Sequence, residues 1–197
     1  MIREIRIYYE GHRLLRSGFD AFFKELRTRA REKRCGFRLI ASGSGASACR
    51  DFGTALQANS DAWNILIIDS EGPQGDNPSG YLCREKGWDK SHADSIFWMV
   101  EMMEAWFHAD KDALQLFYGP RFNKAALKPN PRVEEIPKKD LEQGLSAATK
   151  NCRKGDYFDN KTSHGPKLLE LIGPELVQKS APNCQRLFQT VLAKLAQ

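Results

Sequence analysis

The five cysteines (Cys35, Cys49, Cys83, Cys152 and Cys184) are scattered, odd in number and never form a CxxC pair. This spacing argues against a disulfide framework or a structural zinc site and makes a reducing cytoplasm the expected setting. No apolar run reaches membrane-spanning length, so no membrane partner is expected. Met1 leads straight into the charged segment Arg3-Glu4-Ile5-Arg6 rather than into the apolar stretch of a signal peptide. A GxSxG elbow, an HExxH helix and a cysteine with an evident histidine partner are all missing, which removes the best-marked hydrolase chemistries. Ser42-Gly43-Ser44-Gly45 lacks both the Gly-Lys-Ser/Thr ending of a P-loop and the full GxGxxG pattern. A phosphotransferase or nucleotide-binding enzyme would need a small-ligand pocket there, and that reading stands third. There is no internal repeat. No named nucleic-acid motif or stacking-aromatic pattern chooses between DNA, tRNA and other RNA.

At 197 residues, 41% hydrophobic and 28% charged, the chain has the balance of an ordinary globular protein, long enough to bury a core without covalent staples. The net charge of +5 is unevenly spread. Residues 1–60 hold 12 Lys/Arg against 6 Asp/Glu, residues 61–119 hold 4 against 11, and residues 120–197 hold 14 against 8. An acidic centre between basic flanks suits a cation site serving a polyanion, although solvated charged faces produce similar totals.

The periodicity predicts strands over residues 2–9, 37–41, 63–68 and 95–100, the third apolar enough for the middle of a parallel sheet. Helices are predicted over 17–34, 46–58, 101–110 and 113–118. The first of these has an apolar face of Phe19, Phe22, Phe23, Leu26 and Ala30. Its other side carries Arg27, Arg29, Arg31, Lys33 and Arg34, a candidate track for a phosphate backbone. Residues 72–90, rich in Gly, Pro and Asn, read as a loop. After Gly119 the texture becomes basic and Pro-rich, with a helix over 137–150 and a polar irregular stretch over 151–164. Three short helices follow, punctuated by Gly165-Pro166, Gly173-Pro174 and Ala181-Pro182. Strand alternating with helix gives an α/β class with an open, mostly parallel sheet flanked by helices. The expected division is a core over 1–119 and a basic, mainly helical C-terminal extension over 120–197 packed on it.

Two of the strands end in acids followed by glycine: Ile7-Tyr8-Tyr9-Glu10-Gly11 and Ile67-Ile68-Asp69-Ser70-Glu71-Gly72. Open α/β sheets bind ligands at the carboxyl ends of their strands. Carboxylates gathered there would suit Mg²⁺ or Mn²⁺, which prefer oxygen ligands. Metal-assisted cleavage or transfer at a phosphodiester is the chemistry such a site supports. Turns favour polar residues in any fold, but two such endings together favour a site. Glu104, on the helix after the fourth strand, is a further candidate ligand, with His108 on the same helical face. In the polar stretch, Lys161 and Lys154 are candidate cations for a phosphate, and His164 is a candidate acid or base near neutrality.

Glu10-Gly11 and Asp69-Ser70-Glu71-Gly72 resemble the acidic motifs of the Toprim fold of topoisomerases, primases and OLD-type nucleases. More of the chain resembles a small bacterial Toprim-like family related to RloB proteins. The shared segments are Ile7–Gly11, Ile68–Pro73, Met99–Asp110, Glu135-Ile136-Pro137-Lys138 and Lys161–Leu169. The resemblance implies a Toprim-like core in which Glu10 matches the acid/base or metal-binding glutamate and Asp69 and Glu71 match the paired metal-binding aspartates. It also implies an AAA or ABC-type ATPase partner and a role in bacterial defence. Two departures set this chain apart: Glu71 replaces the second aspartate, and Gly11 is followed by His12-Arg13-Leu14-Leu15 without the customary acid.

The expectation is therefore a metal-dependent nuclease. Its catalytic candidates are Glu10, Lys161 and His164, its metal candidates Asp69, Glu71 and Glu104, and its nucleic-acid contacts Arg27, Arg31 and Lys154. The alternative is a non-catalytic Toprim-derived scaffold that binds an ATPase or nucleic acid.

Overall fold

The computed structural model describes residues 2–58, 61–73 and 75–197. Four parallel strands, β1 (Glu4–Tyr9), β2 (Gly36–Ala41), β3 (Ala62–Asp69) and β4 (Ile96–Met99), form one open sheet in the order β2-β1-β3-β4. Pairing sets Tyr9 opposite both Ala41 and Ile67, and Asp69 opposite Met99, so the strand endings share one edge.

Side-chain alternation along the strands divides the interior in two. Ile5, Ile7, Tyr9, Ile65, Ile67, Phe97 and Met99 belong to the larger apolar cluster, whereas Tyr8, Leu66, Ile68 and Ile96 belong to the smaller. The smaller is completed by α3 (Gly45–Gln57) and α4 (Pro78–Lys86). The larger is covered by α1 (Leu15–Phe22), α2 (Lys24–Glu32), α5 (Glu104–Ala109), α6 (Lys111–Tyr118), α7 (Lys138–Thr149), α8 (Lys161–Leu171), α9 (Pro174–Ser180) and α10 (Pro182–Leu195). Residues before and after Gly119 thus share one apolar core.

Several elements differ from their sequence expectations for identifiable reasons. The helix expected over 17–34 is two helices that meet at Phe23 (φ −92°, ψ 19°). The turn allows the adjacent Phe22 and Phe23 both to pack on Phe188. Residues 78–86, expected as loop, form α4. Asn77 Oδ1 accepts from the Gly80 N–H at 2.9 Å, Pro78 opens the helix and left-handed Gly87 closes it. The helix expected from Glu101 begins at Glu104, because Glu101 has φ +62°.

Residues 161–164, expected to be irregular, are the first turn of α8, and Gly165-Pro166 lies inside that helix. The pair lies where α1 packs closely on α8: a Cβ on Gly18 would fall 2.6 Å from both Leu169 Cβ and the Pro166 carbonyl oxygen. Two 3₁₀ turns, at Lys124–Ala126 and Val133–Glu135, carry the chain from α6 to α7. Among the described residues, no helix is long and apolar enough to cross a membrane.

Candidate metal centre

At the carboxyl edge of the sheet, Glu10, Asp69 and Glu71 each offer an oxygen, and these atoms all lie within 4.8 Å of one another. Each acid is fixed differently. Glu10 follows β1; its own N–H donates to the Ile67 carbonyl at 2.9 Å, and its Oε2 accepts from the Asp69 N–H at 3.1 Å. It also lies against the start of α3, where a Cβ on Gly45 would be 2.8 Å from the same oxygen. The Ser42–Gly45 segment therefore seats Glu10: Gly43, at φ +79°, pairs with Gly11, and the Ser44 side chain caps α3.

Asp69 ends β3, and its Oδ1 accepts from the Met103 N–H at 2.9 Å. Burial, then the neighbouring charges of Glu104 and Glu10, push its pKa up to about 8, against the opposing pull of Lys161 and the Met103 N–H. Glu71 is exposed and left-handed at φ +57°. It is tied to the other left-handed acid, since its N–H donates to the Glu101 carbonyl at 3.1 Å while the Glu101 N–H donates to Ser70 Oγ at 2.7 Å. Two non-glycine residues in this region mark stored backbone strain beside the cluster.

Lys138, the first residue of α7, is held at both ends by those two glutamates. Its N–H donates to Glu101 Oε2 at 3.0 Å, and its ammonium pairs with Glu71. The hydrogen bond to Glu71 is the main reason its pKa is raised. Lys138 is absent from the catalytic and metal candidates chosen from the sequence. Its signal was the Glu135-Ile136-Pro137-Lys138 segment, whose Pro137 marks a helix start, but nothing local joins it to residue 71.

Glu104 opens α5 and is fully buried. Its Oε1 accepts from the Tyr157 hydroxyl at 2.7 Å and from Lys161 Nζ at 2.8 Å, while Oε2 has no hydrogen-bond partner among the described residues. Burial disfavours the Lys161 ammonium, but Glu104 and Asp69 outweigh it and the pKa is raised. Burial and then Glu104 push the Tyr157 phenol well above its ordinary value. Glu104 and Lys161 thus stand beside Asp69, although Glu104 is outside the convergent trio.

The other candidates lie elsewhere. His164 is buried with Nδ1 3.0 Å from the Tyr118 hydroxyl and its ring against Phe117; burial, with Lys154 and Lys167, lowers its pKa. Lys154 Nζ sits 4.8 Å from the centre of the Phe117 ring. Arg27 pairs with Asp20, and Arg31 is exposed on the same helix. None of these four makes a hydrogen bond or ion pair with the trio among the described residues. His108 turns back on its own helix, Nδ1 3.2 Å from the Glu104 carbonyl oxygen.

The donor set fits a hard divalent cation: three carboxylates converge, Asp69 is crowded by like charge, and one buried oxygen of Glu104 is unpaired among the described residues. A family model described as "Domain of unknown function (DUF4276)" matches residues 11–192, nearly the whole chain. The chain belongs to the DUF4276 family. No curated protein and no solved structure matches it. In this DUF4276 protein the matched span takes in Asp69, Glu71, Glu104, Lys138 and Lys161, and begins one residue after Glu10.

Proposed function

We propose that this protein is a metal-dependent nuclease of Toprim-like type that cleaves phosphodiester bonds in DNA or RNA. It would serve as the cytoplasmic effector of a bacterial defence system paired with an AAA or ABC-type ATPase. The observation that carries the reading is the convergence of Glu10, Asp69 and Glu71 at the sheet edge, with two lysines beside them. The Toprim-like motifs and the ATPase association rest on the sequence resemblance alone, and the cytoplasmic setting is supported by five free cysteines.

In this mechanism Asp69 and Glu71 would hold Mg²⁺ or Mn²⁺, with Glu104 as a further ligand. The cation supplies Lewis-acid polarisation of the phosphate and lowers the pKa of water at the site. Glu10, held by the Asp69 N–H, would act as another ligand or as the general base that takes a proton from the attacking water. Lys138 would leave Glu71 for a phosphate oxygen, with its helix start kept in place by Glu101. Lys161, anchored on Glu104, would offset charge on the phosphate in the transition state.

The same two lysines support the second reading. Because Lys138 and Lys161 already balance Glu71 and Glu104 within the chain, the edge would also serve as a metal-free scaffold for an ATPase or nucleic acid.

The test is cleavage of supercoiled DNA and bulk tRNA with Mg²⁺ or Mn²⁺ by wild type and Asp69→Ala. Cutting that needs metal and is lost in the variant is the expected result. Equal cutting by both would overturn the site assignment. Absence of cutting with the ATPase partner also present would leave the scaffold reading.

A further inference from the structure

A groove of about 520 Å³ opens next to the acidic cluster, and Ser70, the residue between Asp69 and Glu71, forms part of its wall. The volume lies within the range of small-ligand sites. The groove is also lined by two aromatic side chains, Tyr81 and Trp98. Trp98 is fixed, its Nε1–H donating to Ser79 Oγ at 2.9 Å, whereas Tyr81, on α4, is 62% exposed. The Arg84 guanidinium lies 5.9 Å from the centre of the Tyr81 ring. The neighbouring Glu85 pairs with Lys86, and Arg84 forms no ion pair among the described residues.

We propose that this groove is a nucleobase subsite, in which an unpaired base beside the phosphate at the acidic cluster stacks on Tyr81. The inference rests on the nuclease reading and deepens it by naming the substrate class, single-stranded or locally unpaired nucleic acid. Three features select a base over the other parts of a nucleotide. An exposed aromatic ring offers a stacking face that any base can use. Asp76 and Glu85, both in the lining, accept hydrogen bonds from amino and ring N–H groups, which a base presents and a phosphate does not. Ser70 joins the groove to the acids, so a phosphate at the cluster leaves its attached base at the groove's mouth. A base inside a duplex is stacked and paired and would have to leave the helix to enter.

The test is fluorescence anisotropy with short labelled DNA and RNA oligonucleotides, each single-stranded and as its duplex, in EDTA and in Ca²⁺. Wild type, Tyr81→Ala and Tyr81→Phe are compared. The expected result is preference for single strands, a loss of roughly 10-fold on Tyr81→Ala, and retention in Tyr81→Phe, which keeps the ring. Equal binding by wild type and Tyr81→Ala, equal binding of duplex and single strand, or no binding of either would overturn the proposal, the last leaving the groove to a protein segment. Mn²⁺-dependent thermal shift of wild type reads the metal centre separately, so a failed nuclease reading and a failed base subsite give different results.

Discussion

The Tyr157 hydroxyl donates to Glu104 Oε1 at 2.7 Å, and the same oxygen receives Lys161 Nζ at 2.8 Å. One buried carboxylate oxygen thus ties the first turn of α5 to the segment leading into α8. Tyr157→Phe removes one of these donors and leaves the charge on Lys161 to hold the carboxylate alone. Chemical denaturation is expected to show a loss of about 1–3 kcal/mol, the range for depriving a buried charged group of a hydrogen bond. Unchanged stability would mean that the phenol contributes nothing to holding Glu104.

Gly45→Ala isolates the placement of Glu10. The new methyl would press on Glu10 Oε2, the far end of a flexible side chain, so the fold survives while the carboxylate shifts. Divalent-cation affinity, followed by the thermal shift on titrating Mn²⁺, is expected to fall about 10-fold with little change in metal-free stability. Equal titration curves for variant and wild type would remove Glu10 from the ligand set.

His108 sets a pH dependence of stability. Burial lowers its pKa to about 4 from an ordinary 6.5, and Nε2 has no hydrogen-bond partner among the described residues. The folded state therefore favours neutral imidazole. This contribution is complete above pH 6.5 and is lost as pH falls from 6.5 through 4, on the order of 3 kcal/mol in all. His108→Gln cannot titrate, so the stability difference between wild type and variant should shift in the variant's favour over that window. A difference independent of pH would show that His108 does not carry the effect.

Gly18→Ala sets helix propensity against packing. Alanine is the better helix former by about 1 kcal/mol. Its methyl would nevertheless meet Leu169 Cβ and the Pro166 carbonyl oxygen at 2.6 Å, contacts that cannot relax without moving α8. A net loss of about 1–3 kcal/mol in thermal or chemical unfolding is expected. A gain in stability would show that α1 and α8 separate easily.

The alternation in residues 2–9 and the nearly continuous apolar run 63–68 made the sheet legible in the sequence, the first by its period of two and the second because burial on both faces leaves an apolar run. The convergence of Glu10 with Asp69 and Glu71 was legible for a related reason: parallel strands bring their endings to one edge. What was hidden depended on distant partners. Lys138 meets Glu71 across a long sequence separation while Glu101 accepts from the N–H at the start of α7. Pro166 lies within α8 and packs on α1 at Gly18, a contact with no local sequence signal. The capping residues of α4 were present in the sequence, but Gly, Pro and Asn nearby obscured them.

The order of charges along the chain has a consequence for synthesis. The acids Glu10, Asp69, Glu71 and Glu104 leave the ribosome well before Lys138 and Lys161, the residues that balance them. Chains emerge and begin to fold from the N-terminus. The acidic cluster therefore lacks its two pairing lysines until α7 and α8 have been made and have docked. On the nuclease proposal, both lysines would be missing from the site until that late stage of synthesis.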